Sequence, residues 1–113
     1  MRASTVVAIA LALPEAEERE TWGERTFRVR GKIFMMLGSD GRRASVKATR
    51  EEQAALLEED PAAFFYPSYV GVHGWVGVVV AKVERAMMAE LVTEAWRMTA
   101  PRRLVGSFDE GPG

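Results

Sequence analysis

Eight cations crowd into residues 22–50: Arg25, Arg28, Arg30, Lys32, Arg42, Arg43, Lys47 and Arg50, with Glu24 and Asp40 as the only acids in that stretch. Several stand two residues apart, and on a β-strand that spacing projects side chains from one face. A row of guanidinium and ammonium groups on a sheet can track nucleic-acid phosphates, while Phe34 or Trp22 beside them can stack on bases. About five such contacts to duplex phosphates predict a salt slope of roughly −4 to −5. The competing reading is plainer. The Arg stems cover the sheet and their heads pair with Glu51, Glu52 or Glu58.

No other constellation carries a reaction. The chain has one histidine, His73, and no cysteine. A single imidazole with no nucleophile and orienting carboxylate beside it does not suggest a catalytic set. Without a local acidic cluster it does not suggest a transition-metal site either. Tyr66, Tyr69, His73 and Trp75 share one Gly- and Pro-broken segment and form a weaker candidate, the lining of a small-ligand pocket. Gly71, Gly74 and Gly77 match neither the dinucleotide fingerprint nor the P-loop spacing. They read as loop and packing glycines. Glu17/Glu18 and Glu58/Glu59 are solvated neighbours whose side chains point apart. No catalytic residue, cofactor or metal is therefore assigned, and the protein is expected not to be an enzyme.

Composition narrows the classes further. With 113 residues, 48% hydrophobic and 27% charged, the chain is a single globular domain able to bury a core without staples. A net charge of −1 excludes coating of nucleic acid by bulk charge, so any such contact comes from the local patch. The absence of cysteine suits a reducing cytoplasm. Charge is segregated along the chain: residues 14–21 carry four glutamates against Arg19, and residues 51–60 carry five acids and no cation.

The elements that must position these groups follow from pattern. Residues 6–13 are apolar on every side and read as a helix capped by Ser4 or Thr5 and stopped before Pro14, covered on most of its surface. A short secretory signal is the competing reading of that segment, and it is far too short to span a membrane. Residues 17–22 read as an acidic edge strand. Strands at 26–30, 32–37 and 43–48 follow, with glycine turns between them. A bulged or three-residue turn over residues 30–32 gives the cleaner core face: Phe27, Val29, Ile33, Met35, Leu37, Ala44, Val46 and Ala48. Arg28, Phe34, Met36, Ser45 and Lys47 then face the other way. Thr49 and Glu52 form a capping box for a short helix. Asp60-Pro61 reads as a fresh helical turn carrying Phe64 and Phe65. Residues 75–80 read as a strand covered on both faces, and Met88, Leu91, Val92, Ala95 and Trp96 form a helical stripe ended by Pro101. The fold expected is an α+β two-layer sandwich: an antiparallel sheet of about five strands packed by N-terminal, middle and C-terminal helices. Residues 1–106 form its single domain, and residues 107–113 a disordered tail.

Six short stretches also resemble one family when taken together. They are A-L-A-L-P-E at 10–15, W-G at 22–23, T-F-R-V-R-G-K-I-F at 26–34, S-V-K at 45–47, H-G-W-V at 73–76 and A-W-R-M-T-A-P-R-R-L at 95–104. Their combination resembles the MmcQ/YjbR-like family over nearly the whole chain. The resemblance implies a YjbR-like sandwich similar in architecture to type III secretion chaperones, and a helix rather than a signal at the N-terminus. It also implies a DNA-binding label without established catalytic residues. Of the matching positions, Phe27 and Trp75 read as core, Gly31 and Gly74 as turns, and Lys32 and Lys47 with the intervening arginines as contacts. The very apolar first helix departs from the pattern. Two partners thus stand open: DNA on the basic sheet, or a protein partner or second copy on an apolar helix. No membrane partner is expected.

Overall fold

The computed structural model describes residues 1–111. Six strands form one sheet: β1 (Ala16–Thr21), β2 (Glu24–Val29), β3 (Lys32–Leu37), β4 (Arg43–Val46), β5 (Phe64–Phe65) and β6 (Val76–Val79). Their spatial order is β1-β2-β3-β4-β6-β5, and all neighbours are antiparallel. Four helices accompany them: α1 (Ala3–Leu11), α2 (Arg50–Glu59), α3 (Arg85–Arg97) and α4 (Arg102–Glu110). α1 and α3 pack on each other, and α3 lies against β3 and β4. This is the expected α+β sandwich with one strand more. The extra strand is Phe64–Phe65, expected as a helical turn; it pairs with Val78 and Gly77 of β6 instead.

Two Xaa-Gly turns set up the meander. Trp22-Gly23 has φ of 56° and 82° and closes the pair Thr21 with Glu24; Arg30-Gly31 has φ of 52° and 80° and closes Val29 with Lys32. Positive φ at both central residues is the type I′ turn, whose twist matches that of the flanking strands. The second turn thus has two residues, not three. The bulge exists but lies further along: Phe27 pairs with Met35 and Arg28 with Ile33, which leaves Phe34 as the extra residue. Phe34 and Met35 are both fully buried, whereas Ile33 is only half-buried beside Arg28. Burying a phenyl ring stabilises by about 1.5–3 kcal/mol, which favours the bulge that turns Phe34 inward over an unbroken register.

The core lies between this sheet face and the helices. Phe27, Val29, Leu37, Val46, Val76 and Val78 from the sheet meet Val6 and Ala10 of α1 and the stripe Met88, Leu91, Val92, Ala95 and Trp96 of α3. The Trp96 indole N–H donates to the Pro14 carbonyl at 3.1 Å, tying the exit of α1 to α3. α1 buries only Val6 and Ala10, so it is covered along one stripe rather than all round, and neither Ser4 nor Thr5 caps it: its N-cap is Arg2, without a side-chain bond. The α2 capping box is present, the Thr49 hydroxyl accepting from the Glu52 N–H at 3.1 Å.

The chain beyond Ser107 differs from the expected tail. It completes α4 through Glu110, while Pro112 and Gly113 lie outside the described residues. The reason is packing that a Gly- and Ser-bearing segment does not advertise. Phe108 sits 5.0 Å from Trp96, centroid to centroid, and Asp109 pairs with Arg97 at 2.6 Å. Among the described residues no helix is long and apolar enough to cross a membrane.

Candidate nucleic-acid interface

The structure divides the eight candidate cations. Arg25 holds Glu18 with two bonds, 2.5 Å and 3.1 Å, and Arg30 holds Glu15 with two, 2.5 Å and 3.0 Å. Hydrogen bonding to Arg30 lowers the Glu15 carboxyl pKa below its ordinary value, and the carboxylates raise the guanidinium pKa values of Arg25 and Arg30. Arg28 spreads over the Thr21 hydroxyl at 3.0 Å, the Thr26 hydroxyl at 3.2 Å and the Gly31 carbonyl at 3.3 Å. Arg50 leaves the sheet altogether and donates to the Val72 carbonyl at 3.0 Å. The acids that neutralise the patch come from β1 and the residue before it. Glu51, Glu52 and Glu58 of α2, expected in that role, take no part among the described ion pairs.

Four cations remain. Lys32, Arg42, Arg43 and Lys47 form no ion pair among the described residues. Register assigns their faces. Thr26, Met36, Ser45, Gly77 and Phe65 form one row straight across the sheet, on the side away from the core. Arg43 and Lys47 stand two residues either side of Ser45 and share this helix-free face. Lys32 pairs with Val29 and lies on the opposite side. Arg42 adjoins Arg43 at the strand's start, its N–H bonded to the Asp40 carboxylate at 2.9 Å. The basic sheet is therefore a smaller basic corner.

Beside that corner the sheet is hollow. A concavity of about 760 Å³ has Met36, Ser45, Phe65 and Arg43 among its lining residues, with Trp22 and Tyr69 on its rims. Gly77 carries no side chain, and a Cβ there would collide with the Phe65 ring. The ring consequently lies down over β6, and the Arg43 guanidinium sits 5.0 Å from its centroid. Trp22, at the β1–β2 turn, is 97% exposed, and Tyr69, between β5 and β6, is 94% exposed. Glu24 and Asp40 also line the hollow.

The loop bearing Tyr69 is held from α2. Gln53 is buried and its amide donates to the Gly71 carbonyl at 2.9 Å and the Trp75 carbonyl at 2.6 Å; Arg50 secures Val72. Gly74, at φ 96°, packs so closely that a Cβ would stand 2.9 Å from the Ala48 carbonyl oxygen. Tyr69 itself has φ 64° and ψ −56°, and the Val70 N–H reaches back to the Ser68 carbonyl at 2.7 Å. This is the rare γ-turn of positive φ, a strained geometry that persists only where its surroundings over-determine it.

Of the four pocket candidates only Tyr69 lines the hollow. Tyr66 instead lies over Gly71, where a Cβ would be 2.5 Å from its ring, while His73 is exposed on the short turn Val70–His73 and Trp75 is buried. Phe34, a stacking candidate, is in the core. Trp22 remains available. Met36 and Phe65 line the hollow and Gln53 braces its loop, roles that the sequence does not signal because hydrophobic pattern alone does not tell which distant residues meet. Among the described residues no three His, Cys, Asp or Glu side chains are placed to hold a metal.

These features define a small antiparallel α+β domain whose sheet is covered on one face and hollowed on the other. The family model described as YjbR matches residues 11–98, and the chain belongs to that family. It is similar to an uncharacterised protein of Mycobacterium bovis and to another of Mycobacterium tuberculosis, each 37% identical over 54 residues, 48% of this chain. The match spans 42% of each relative, under half the length of the curated proteins concerned. Among solved structures, the crystal structure of Deinococcus radiodurans protein DR2400, a DUF419 domain, superposes with a TM-score of 0.78 at 17% identity, over 86% of this chain and 77% of that one. At that identity the likeness concerns fold alone.

Proposed function

We propose that the protein is a non-enzymatic binding module that holds DNA against the helix-free face of its sheet. One observation carries the reading. On the β1–β2 side acids take up Arg25 and Arg30 and neutral oxygens take up Arg28, yet Arg43 and Lys47, with Arg42 adjoining, have no acidic ion-pair partner among the described residues on the face that also presents Trp22. Unpaired cations next to an exposed aromatic suit a phosphodiester chain with accessible bases. The reading implies action in the cytoplasm, which the lack of cysteine fits. A protein partner or homodimer on an apolar helix is the second reading: the α3 stripe is spent on the core, whereas α1 fully buries only Val6 and Ala10 and leaves Leu11 42% exposed.

The test is binding of labelled DNA as a function of salt. Three phosphate contacts give a slope of roughly −2 to −3 on a double-logarithmic plot. Replacing Arg42, Arg43 and Lys47 with Ala should remove most of that slope, whereas Ala at Arg25 and Arg30 should leave it nearly intact. Equal losses from both triple and double variants, or no binding at low salt, would rule the proposal out.

A further inference from the structure

We infer that the nucleic acid taken up here is single-stranded, with bases stacked on Trp22 and Tyr69 at the two rims of the hollow; this rests on the nucleic-acid reading above. Trp22 tips the β1–β2 hairpin and Tyr69 lies between β5 and β6, so the two rings rise from opposite sides of a floor made by β3, β4 and β5. Four inter-strand steps separate β2 from β5, the far strand of that floor, a span of about 19 Å. That width accepts one extended strand with its bases turned toward the rims. A duplex keeps its base faces inside the stack, where neither ring reaches them.

Backbone strain gives the second line of argument. Both residues occupy left-handed φ, which costs a bulky residue of order 1–3 kcal/mol, and at 97% and 94% exposure neither side chain recovers that cost by packing. Asn would suit the Trp22 position better and Gly the Tyr69 position. Two large aromatics held out at unfavourable backbone positions, flanking one hollow, are placed as contact surfaces.

Charge gives the third. Arg43 at the floor, with Lys47 on the same strand face, attracts phosphate, while Glu24 repels it from the β1–β2 rim and Asp40, in the lining, is held by the Arg42 N–H. The carboxylates can accept hydrogen bonds from the exocyclic amino groups of cytosine or adenine. The chain of phosphates is thereby steered over β4 and the bases into the hollow.

The experiment compares a labelled 12-nucleotide mixed-sequence DNA strand with its own blunt duplex, at low salt, by anisotropy and by tryptophan emission. Trp75 and Trp96 are buried, so quenching on binding reports Trp22. The single strand should bind several-fold tighter than the duplex and quench the emission. Trp22→Asn and Tyr69→Ala should each weaken it about five- to a hundred-fold, the range of one lost stacking contact, and Trp22→Phe should restore most of the loss. Thermal melts separate binding loss from misfolding, since Trp22→Asn suits its turn. Duplex binding equal to or tighter than the single strand, with Trp22→Asn indifferent, overturns this inference and leaves the DNA reading standing. No binding of either form removes both. A dimer in solution that Trp22→Asn converts to monomer assigns the hollow to a second copy and overturns the inference as well.

Discussion

The two Xaa-Gly turns of the meander share a backbone and differ in everything attached to it. Arg30-Gly31 and Trp22-Gly23 have φ values within a few degrees of each other, and in both the first residue is a large side chain in a region that favours Asn or Gly. Arg30 offsets its position: its guanidinium holds the Glu15 carboxylate with two bonds. Glu15 is itself left-handed at φ 58°, so one ion pair fastens two strained residues and joins the start of β1 to the β2–β3 turn. Trp22 lies almost wholly in solvent and offsets nothing within the monomer. One turn therefore closes the structure on itself, and the other holds a side chain out.

Glycine substitution tests the shared part of that comparison and should give the largest stability effects. No atom lies within 4 Å of a Cβ built at Gly23 or Gly31, so only φ of 82° or 80° opposes alanine. Gly23→Ala and Gly31→Ala should each lower unfolding free energy by about 1–2 kcal/mol, and by similar amounts, in urea denaturation. A markedly larger loss at one of them would break the claim that the turns are equivalent.

What could be read in advance follows the same division. The meander was legible because glycine turns and alternation are local signals, and β1 was legible as an acidic edge because its glutamates are consecutive. The partners of the cations were not. The turn at Gly23 already sets β1 beside β2, but pairing of Arg25 with Glu18 and of Arg30 with Glu15 depends on the register of that hairpin and the reach of each side chain, which the alternation does not reveal. The position of the bulge was missed for a related reason: either placement gives an alternating core, and only the gain from burying Phe34 decides between them. α4 does carry a helical pattern in Leu104, Val105 and Phe108, but the pattern is short and its packing partner, Trp96, lies on another helix. The hollow is the extreme case. Residues 22, 36, 43, 65 and 69 meet only after the strands are ordered, and the Phe65 ring on its floor lies where only the missing side chain of Gly77 admits it.

Replacing the first residue of each turn sharpens the difference between them. Trp22→Asn puts the favoured residue into a type I′ turn and removes no packing, so stability should rise by about 0.5–1 kcal/mol in the same urea measurement. Arg30→Asn gains the same backbone preference but loses the bonds to Glu15, so its gain should be smaller or absent. If Trp22→Asn destabilised the fold, the indole would have to make contacts in solution that fix it in place, and the contrast drawn above would fail.

The smallest effect belongs to the ion pair itself. With the Glu15 carboxyl pKa lowered below its ordinary 4.5 by its bonds to Arg30, the folded state binds this proton less readily than the unfolded chain does. Its stabilising contribution is therefore present above the ordinary value and disappears as pH falls through the lowered one. Because both groups stand in solvent, salt should weaken the contribution further. An NMR titration of the Glu15 side chain should find its midpoint below that of an unpaired glutamate, returning upward in Arg30→Ala and unmoved in Trp22→Asn. Glu15→Gln should flatten the small acid-side loss of stability while leaving DNA binding unchanged. A response of the Glu15 titration to substitution at Trp22 would show that the two turns are coupled, and the independence of the fastened turn from the open one would then be lost.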